Sequence, residues 1–160
     1  MQHALPDGYR WRQGSMSDRT LLDRFARLTY GELFPETANF NHLNKTIALY
    51  LSQATPIWWV EPTDLPSEAC DPIGLLWAGI VVDQSSGDRH LQILLLYVQP
   101  TYRRQGIGAA LMSRAEALAH ERGDRHISVQ TFTHNQAAVH LYERLGYHPR
   151  EVVLVKKIAE

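Results

Sequence analysis

One stretch, Leu94-Leu95-Leu96-Tyr97-Val98-Gln99-Pro100-Thr101-Tyr102-Arg103-Arg104-Gln105-Gly106-Ile107-Gly108-Ala109-Ala110-Leu111, constrains the fold more than any other part of the chain. An apolar run of strand length passes through a Gly-rich turn straight into a segment, Gly106 to Arg122, that reads as a helix. Its Ile107, Leu111, Ala115 and Leu118 fall on one stripe, and Gly123 stops it. His126 to Thr131 then reads as a short second strand. Strand, helix and strand in this order predict a crossover unit, with two parallel neighbours in one sheet and the helix packed on a face of it.

The flanking segments add a mostly antiparallel sheet to that unit. Asp18 to Phe34, after a possible cap at Ser17, and Asn39 to Gln53, bounded by Pro35 and Pro56, carry apolar residues at helical spacing. Ile57 to Glu61 reads as a Trp-rich strand, and Pro62 to Asp71 is a Pro-rich acidic loop. Ile73 to Val82 and Leu91 to Val98 form a hairpin across the turn cluster Ser85, Ser86, Gly87 and Asp88. Asn135 to Leu145 is a fourth helix ended by Gly146, and Val152 to Ile158 a last strand. The expected class is α+β (mixed α/β): a single central, mostly antiparallel sheet with one βαβ crossover and helices on both faces.

A chain of 160 residues suits one domain, 1–160, with a helix pair at about 17–53 and a core at about 57–158. With 16 Lys+Arg against 17 Asp+Glu the formal net charge is -1, which argues against nucleic acid as the main partner. The longest apolar run, Ile73 to Val82, is too short to span a bilayer, and Met1 to Trp11 lacks the apolar region of a signal peptide. Cys70 is the only cysteine, so no internal disulfide forms and a cytoplasmic location is expected. The eight histidines show no His-Glu-x-x-His spacing, so no metal is expected.

The chemistry concentrates at the Gly-rich turn. The first amides of a helix lack intrahelical partners, and the helix dipole adds positive potential, so such a junction suits a phosphate. Gly106 and Gly108 remove side chains that would hold a diphosphate away from the backbone, and Arg103 and Arg104 add charge. Leu111 stands where a Rossmann fingerprint requires Gly or Ala, and no Gly-Lys-Ser/Thr of a Walker A loop occurs. A diphosphate site of another design remains.

Arg103-Arg104-Gln105-Gly106-Ile107-Gly108 resembles the Arg/Gln-x-x-Gly-x-Gly/Ala signature of the GCN5-related N-acetyltransferase (GNAT) family. Asn135-Gln136-Ala137-Ala138-Val139-His140-Leu141-Tyr142-Glu143-Arg144-Leu145-Gly146-Tyr147 is similar to that family's second motif. The resemblance implies acetyl-CoA as co-substrate, its pyrophosphate on the amides of Arg104, Gln105, Gly106, Ile107, Gly108 and Ala109. It implies also that main-chain groups of Leu96 and Val98 bind the pantetheine arm as an added strand would. Asn135 would meet that arm, although it is equally a good helix N-cap and one residue can do both. Tyr142 would stand near the thioester sulfur as proton donor, although it also lies on the stripe Ala138, Leu141, Tyr142, Leu145 that a plain core residue would occupy.

The implied reaction is acetyl transfer to a primary amine of a small molecule or a protein by direct attack on the thioester, with the amide of Leu96 meeting the oxyanion. Some family members carry a Glu base where Gln92 stands here, so Glu32, Glu36, Glu61 and His134 are the candidates to act through a water. The alternative is a non-catalytic acyl-CoA-binding sensory or regulatory module. Monomer and homodimer are both open.

Overall fold

A computed structural model describes residues 2–159. Its first strand, β1 (Tyr9–Gln13), falls in a stretch read only as lacking a signal peptide. The missed signal is the alternation of Tyr9 and Trp11 with Arg10 and Arg12, a period of two over too few residues to stand out. β1 pairs antiparallel with β2 (Ile57–Pro62), Trp11 opposite Val60. β2 pairs antiparallel with β3 (Gly74–Val82), and β3 with β4 (Arg89–Val98), which is the expected hairpin. β4 pairs parallel with β5 (Ile127–Val129), three residues where a longer strand was expected. The sheet order is β1-β2-β3-β4-β5, so the α+β expectation of a mostly antiparallel sheet with one crossover holds.

The described residues form four α-helices: α1 (Arg19–Leu33), α2 (His42–Tyr50), α3 (Ile107–Arg122) and α4 (Gln136–Arg144). The cap upstream of α1 is Ser15 rather than Ser17. The Ser15 hydroxyl accepts from Ser17 N at 3.3 Å, and Asp18 Oδ2 accepts from Ser15 N at 2.9 Å, closing a capping box around a 3-10 turn. None of the described helices is long and apolar enough to cross a membrane.

Alternation of side chains along the strands gives the sheet two apolar faces. Ile57, Trp59, Leu75, Trp77, Leu95 and Tyr97 share one face, where they pack with Leu22, Phe25 and Ala26 of α1 and Leu43 and Ile47 of α2. Phe25 is the centre of this layer, its ring edge-on to Trp59 at 5.2 Å and to Tyr97 at 5.7 Å. On the other face α3 comes close: a Cβ on Gly74 would meet Ile107 Cγ2 at 3.4 Å and Leu111 Cδ1 at 3.5 Å. Helices therefore cover both faces, as the sequence implies.

The sheet with α1, α2 and α3 lies in one compact unit, Met1–Gln130; a second comprises Thr131–Glu160. Within the second unit α4 is the sole regular element among the described residues. The last strand expected at Val152 to Ile158 is not formed. Those residues carry no regular structure, and exposure of the apolar ones runs from 76% at Val153 to 90% at Leu154. A Val-rich run has the propensity for a strand, but propensity alone does not make one without a neighbour to complete its ladder.

Candidate active site

β4 changes character halfway along. Trp77 stands opposite Leu95 but Ala78 opposite Ile93, so Leu94 is an extra residue, a bulge in β4. Gly79 accommodates it, since a Cβ there would approach Leu94 Cδ1 to 3.0 Å. The parallel ladder with β5 spans only Leu91, Gln92 and Ile93, opposite Ile127, Ser128 and Val129. Beyond the bulge no described strand pairs with β4 on that side, which leaves a ladder edge open along the segment that contains Leu96 and Val98.

That edge runs into the Gly-rich loop. Gln99 anchors the turn, its backbone N donating to Ile73 O and its Nε2 to Pro72 O, both at 2.8 Å. Arg104 (φ 64) and Gly106 (φ 87) adopt left-handed backbone, and Arg104 is the one non-Gly residue with positive φ among those described. Such curvature turns successive N–H groups toward a common point. Gly106 is also the N-cap of α3 and offers no side chain to it, so the amides of Ile107, Gly108 and Ala109 point out of an uncapped helix end. Tyr9 Oη donates to Gln105 Oε1 at 2.8 Å, which ties the loop to β1. Arg103, Arg104, Gln105 and Gly106 are exposed.

Arg103 is already engaged. Its Nε donates to Val98 O at 2.7 Å, its NH2 to Glu32 Oε2 at 2.8 Å, and the guanidinium lies over the Tyr97 ring at 5.3 Å. Tyr97 Oη donates to Glu32 Oε1 at 2.6 Å. Burial and the Glu32 carboxylate together push the Tyr97 hydroxyl up to about 12, against a smaller opposing effect of Arg103. The cluster of Glu32, Tyr97 and Arg103 at the root of the loop was not anticipated. Its signal was Tyr97 two residues after Leu95, on the face that meets α1.

The candidate bases differ sharply in surroundings. Burial would raise the Glu61 carboxyl, which is 1% exposed, but hydrogen bonds from Ser67, Arg12 and Arg10 outweigh it and hold the group below its ordinary value. A carboxylate enclosed in this way is a structural anion and a poor base. Glu32, Glu36 and His134 are exposed.

In the second unit Asn135 caps α4, its Oδ1 accepting from Ala138 N at 3.3 Å. Tyr147 N donates to Tyr142 O at 2.9 Å and Gly146 N to Glu143 O at 3.0 Å, the two bonds of a Schellman stop with Gly146 at φ 89. The rings of Tyr142 and Tyr147 lie 5.9 Å apart, completing that motif. Burial pushes the Tyr142 hydroxyl up to about 12. Both residues thus have a structural role shown by their contacts.

Comparison with known proteins bears on both motifs. An uncharacterised N-acetyltransferase of Methanocaldococcus jannaschii is 37% identical over 68 residues, 39% of this chain and 30% of that protein. The streptothricin acetyltransferase of Streptomyces lavendulae is 36% identical over 66 residues, 41% of this chain and 35% of that protein. An uncharacterised N-acetyltransferase of Bacillus subtilis is 31% identical over 88 residues, 55% of each chain. The matched stretch thus spans less than two-thirds of each of these relatives.

Among solved structures, an aminoglycoside acetyltransferase from an uncultured soil metagenomic sample, in complex with trehalose, superposes with a TM-score of 0.70 at 19% identity, over 96% of this chain and 98% of its own. A predicted acetyltransferase from Clostridium acetobutylicum with acetyl-CoA gives 0.71 at 18% identity, over 94% and 96%. At such identities these likenesses speak to the fold. The acetyltransferase (GNAT) family profile matches residues 22–147, from α1 through both motifs to the end of the Schellman stop, and the chain belongs to that family.

Proposed function

We propose that this chain is an acetyl-CoA-dependent N-acetyltransferase that acetylates a primary amine of a cationic small molecule. The observation that carries the reading is the open edge of β4 beyond Leu94, continuous with a left-handed loop and an uncapped helix end. A pantetheine arm has amide groups spaced for such an edge, and a diphosphate has oxygens for such a helix end. Nothing lies within 4 Å of where a Gly106 Cβ would stand, so the cradle is open.

In this reading main-chain groups of Leu96 and Val98 hold the arm, and the amides from Arg104 to Ala109 hold the pyrophosphate beside the charges of Arg103 and Arg104. The bound co-substrate supplies an activated acyl thioester. Asn135 and Tyr142 keep the roles that the family motif they match implies. With its hydroxyl at about 12 and a thiol at about 8.5, complete proton transfer from Tyr142 to the departing thiolate is uphill by about 5 kcal/mol. Tyr142 therefore acts by donating a hydrogen bond to the developing charge. The amine must lose a proton first, and Glu32 is an exposed carboxylate joined to the root of the loop through Arg103 and Tyr97.

Exposed Glu32, shared with Arg103, and exposed Glu36 lie at and just past the end of α1, and carboxylates there would suit a cationic amine. The aminoglycoside acetyltransferases among the structural neighbours, one of them in complex with sisomicin, accord with that class. The test is thiol release from acetyl-CoA with a panel of aminoglycosides, polyamines and lysine peptides. Release with the polycationic small molecules supports the reading. Tight acetyl-CoA binding with no release on any acceptor would favour a sensory module, as Gln92 in place of a carboxylate allows.

A further inference from the structure

At the end of the sheet away from the Gly-rich loop, three side chains able to ligate a metal converge. Asp83 follows β3, His90 is the second residue of β4, and His126 immediately precedes β5, so three adjacent strand ends give one donor each. One ligand atom from each lies within 4.8 Å of the other two. Asp83 Oδ2 is 3.3 Å from His126 Nε2, and the His90 and His126 rings are 4.1 Å apart. Asp83 and His90 are buried, while His126 reaches the surface. We propose that Asp83, His90 and His126 form a binding site for a divalent cation of the zinc type, with water in the remaining position.

Bond lengths support this assignment. Zinc bonds of about 2.0–2.1 Å place tetrahedral ligand atoms about 3.4 Å apart, close to the observed separation of Asp83 from His126. Closing the remaining separations, at most 4.8 Å, takes shifts of up to about 1.4 Å shared among the three side chains. Two imidazoles with one carboxylate suit zinc and its neighbours, whereas calcium and magnesium prefer all-oxygen sets.

The surroundings hold these ligands as metal ligands are commonly held. Asp83 Oδ1 accepts from Ser85 N at 2.7 Å, Ser85 Oγ at 2.5 Å and Ser86 N at 3.2 Å, so the turn fixes the carboxylate with Oδ2 toward His126. His90 Nε2 lies 2.9 Å from Ser128 Oγ, which sets its ring plane. The ladders also fix the backbone: Val81 pairs with His90, and Leu91 with Ile127, directly after His90 and His126. A plain ion pair needs one imidazole beside Asp83, and the second is what a cation site adds. Val98 stands eight positions along β4 from His90, roughly 26 Å, so the cation would staple β3, β4 and β5 together and take no part in acetyl transfer.

The experiment is equilibrium dialysis of untagged protein against micromolar zinc sulfate, with metal analysis, alongside melting curves. One zinc per chain and a melting temperature that rises until one equivalent is bound are expected, as is a visible four-coordinate spectrum with cobalt. His126→Ala, at the exposed ligand, and Asp83→Asn, which retains the turn's acceptor oxygen, should each weaken zinc binding by about tenfold or more. Neither should alter the melting shift produced by acetyl-CoA. Absence of stoichiometric zinc in the wild-type protein, or undiminished binding in both variants, overturns the proposal. Failure of acetyl-CoA to bind would count against the acetyltransferase reading and leave the zinc result unaffected.

Discussion

For Tyr142 a single substitution separates the role its contacts show from the role proposed for it. Its ring packs on Tyr147 in the stop of α4, and its hydroxyl is the group the proposed mechanism uses. Tyr142→Phe keeps the ring, so the denaturation midpoint should hold while turnover falls, by about 10–100-fold for a lost hydrogen bond in place of a lost general acid. Unaltered turnover with a stability loss of about 1 kcal/mol would assign the hydroxyl to the core. Asn135 and Tyr142 were legible because their local roles follow spacing rules: a cap three residues before the amide it accepts, a glycine just past the helix end. Glu61 was misjudged as a candidate base because Arg10 and Arg12 reach it from the neighbouring β1 and Ser67 from the loop after β2, and no spacing announces that.

Among the elements, α3 and β4 carry the reading. Gly108 sits in the first turn of α3, where a negative side chain favours the helix through its dipole yet opposes a phosphate. Gly108→Asp should therefore lose acetyl-CoA affinity by at least about tenfold with no loss of melting temperature; wild-type affinity would place the co-substrate elsewhere. β1 and β2 carry a second test through the pair formed by Arg12 and Glu61 at 2.5 Å. The Glu61 carboxyl is held below its unfolded value, so its stabilisation is present above about pH 4.3 and disappears as pH falls through the folded value. Glu61→Gln should lower stability at neutral pH by about 2–3 kcal/mol and flatten the acid limb of the stability curve. An unchanged acid limb would show that other carboxylates govern it. Hairpin, crossover and helices were readable from periodicity. The bulge at Leu94 was not, because an extra residue inside the apolar run Ile93-Leu94-Leu95-Leu96 alters no pattern of polarity.

For the whole molecule, ligand linkage is the direct test. If acetyl-CoA binds the folded state as proposed, the melting temperature should rise, with about 2.7 kcal/mol of stabilisation at a hundredfold excess over its dissociation constant. An unchanged melting curve at millimolar acetyl-CoA would remove the co-substrate assignment. Fold class and loop were legible at this scale because the chain writes them as local signals. The fate of Val152 to Ile158 was not, since whether a strand forms depends on a neighbour that its own residues do not specify. The sheet order has a consequence for how the protein is made. Each strand lies beside the one that precedes it in the chain, β5 last and at an edge. During synthesis at about 5–20 residues per second, every strand can add to a finished border as it emerges, and none has to be threaded between two that have already paired.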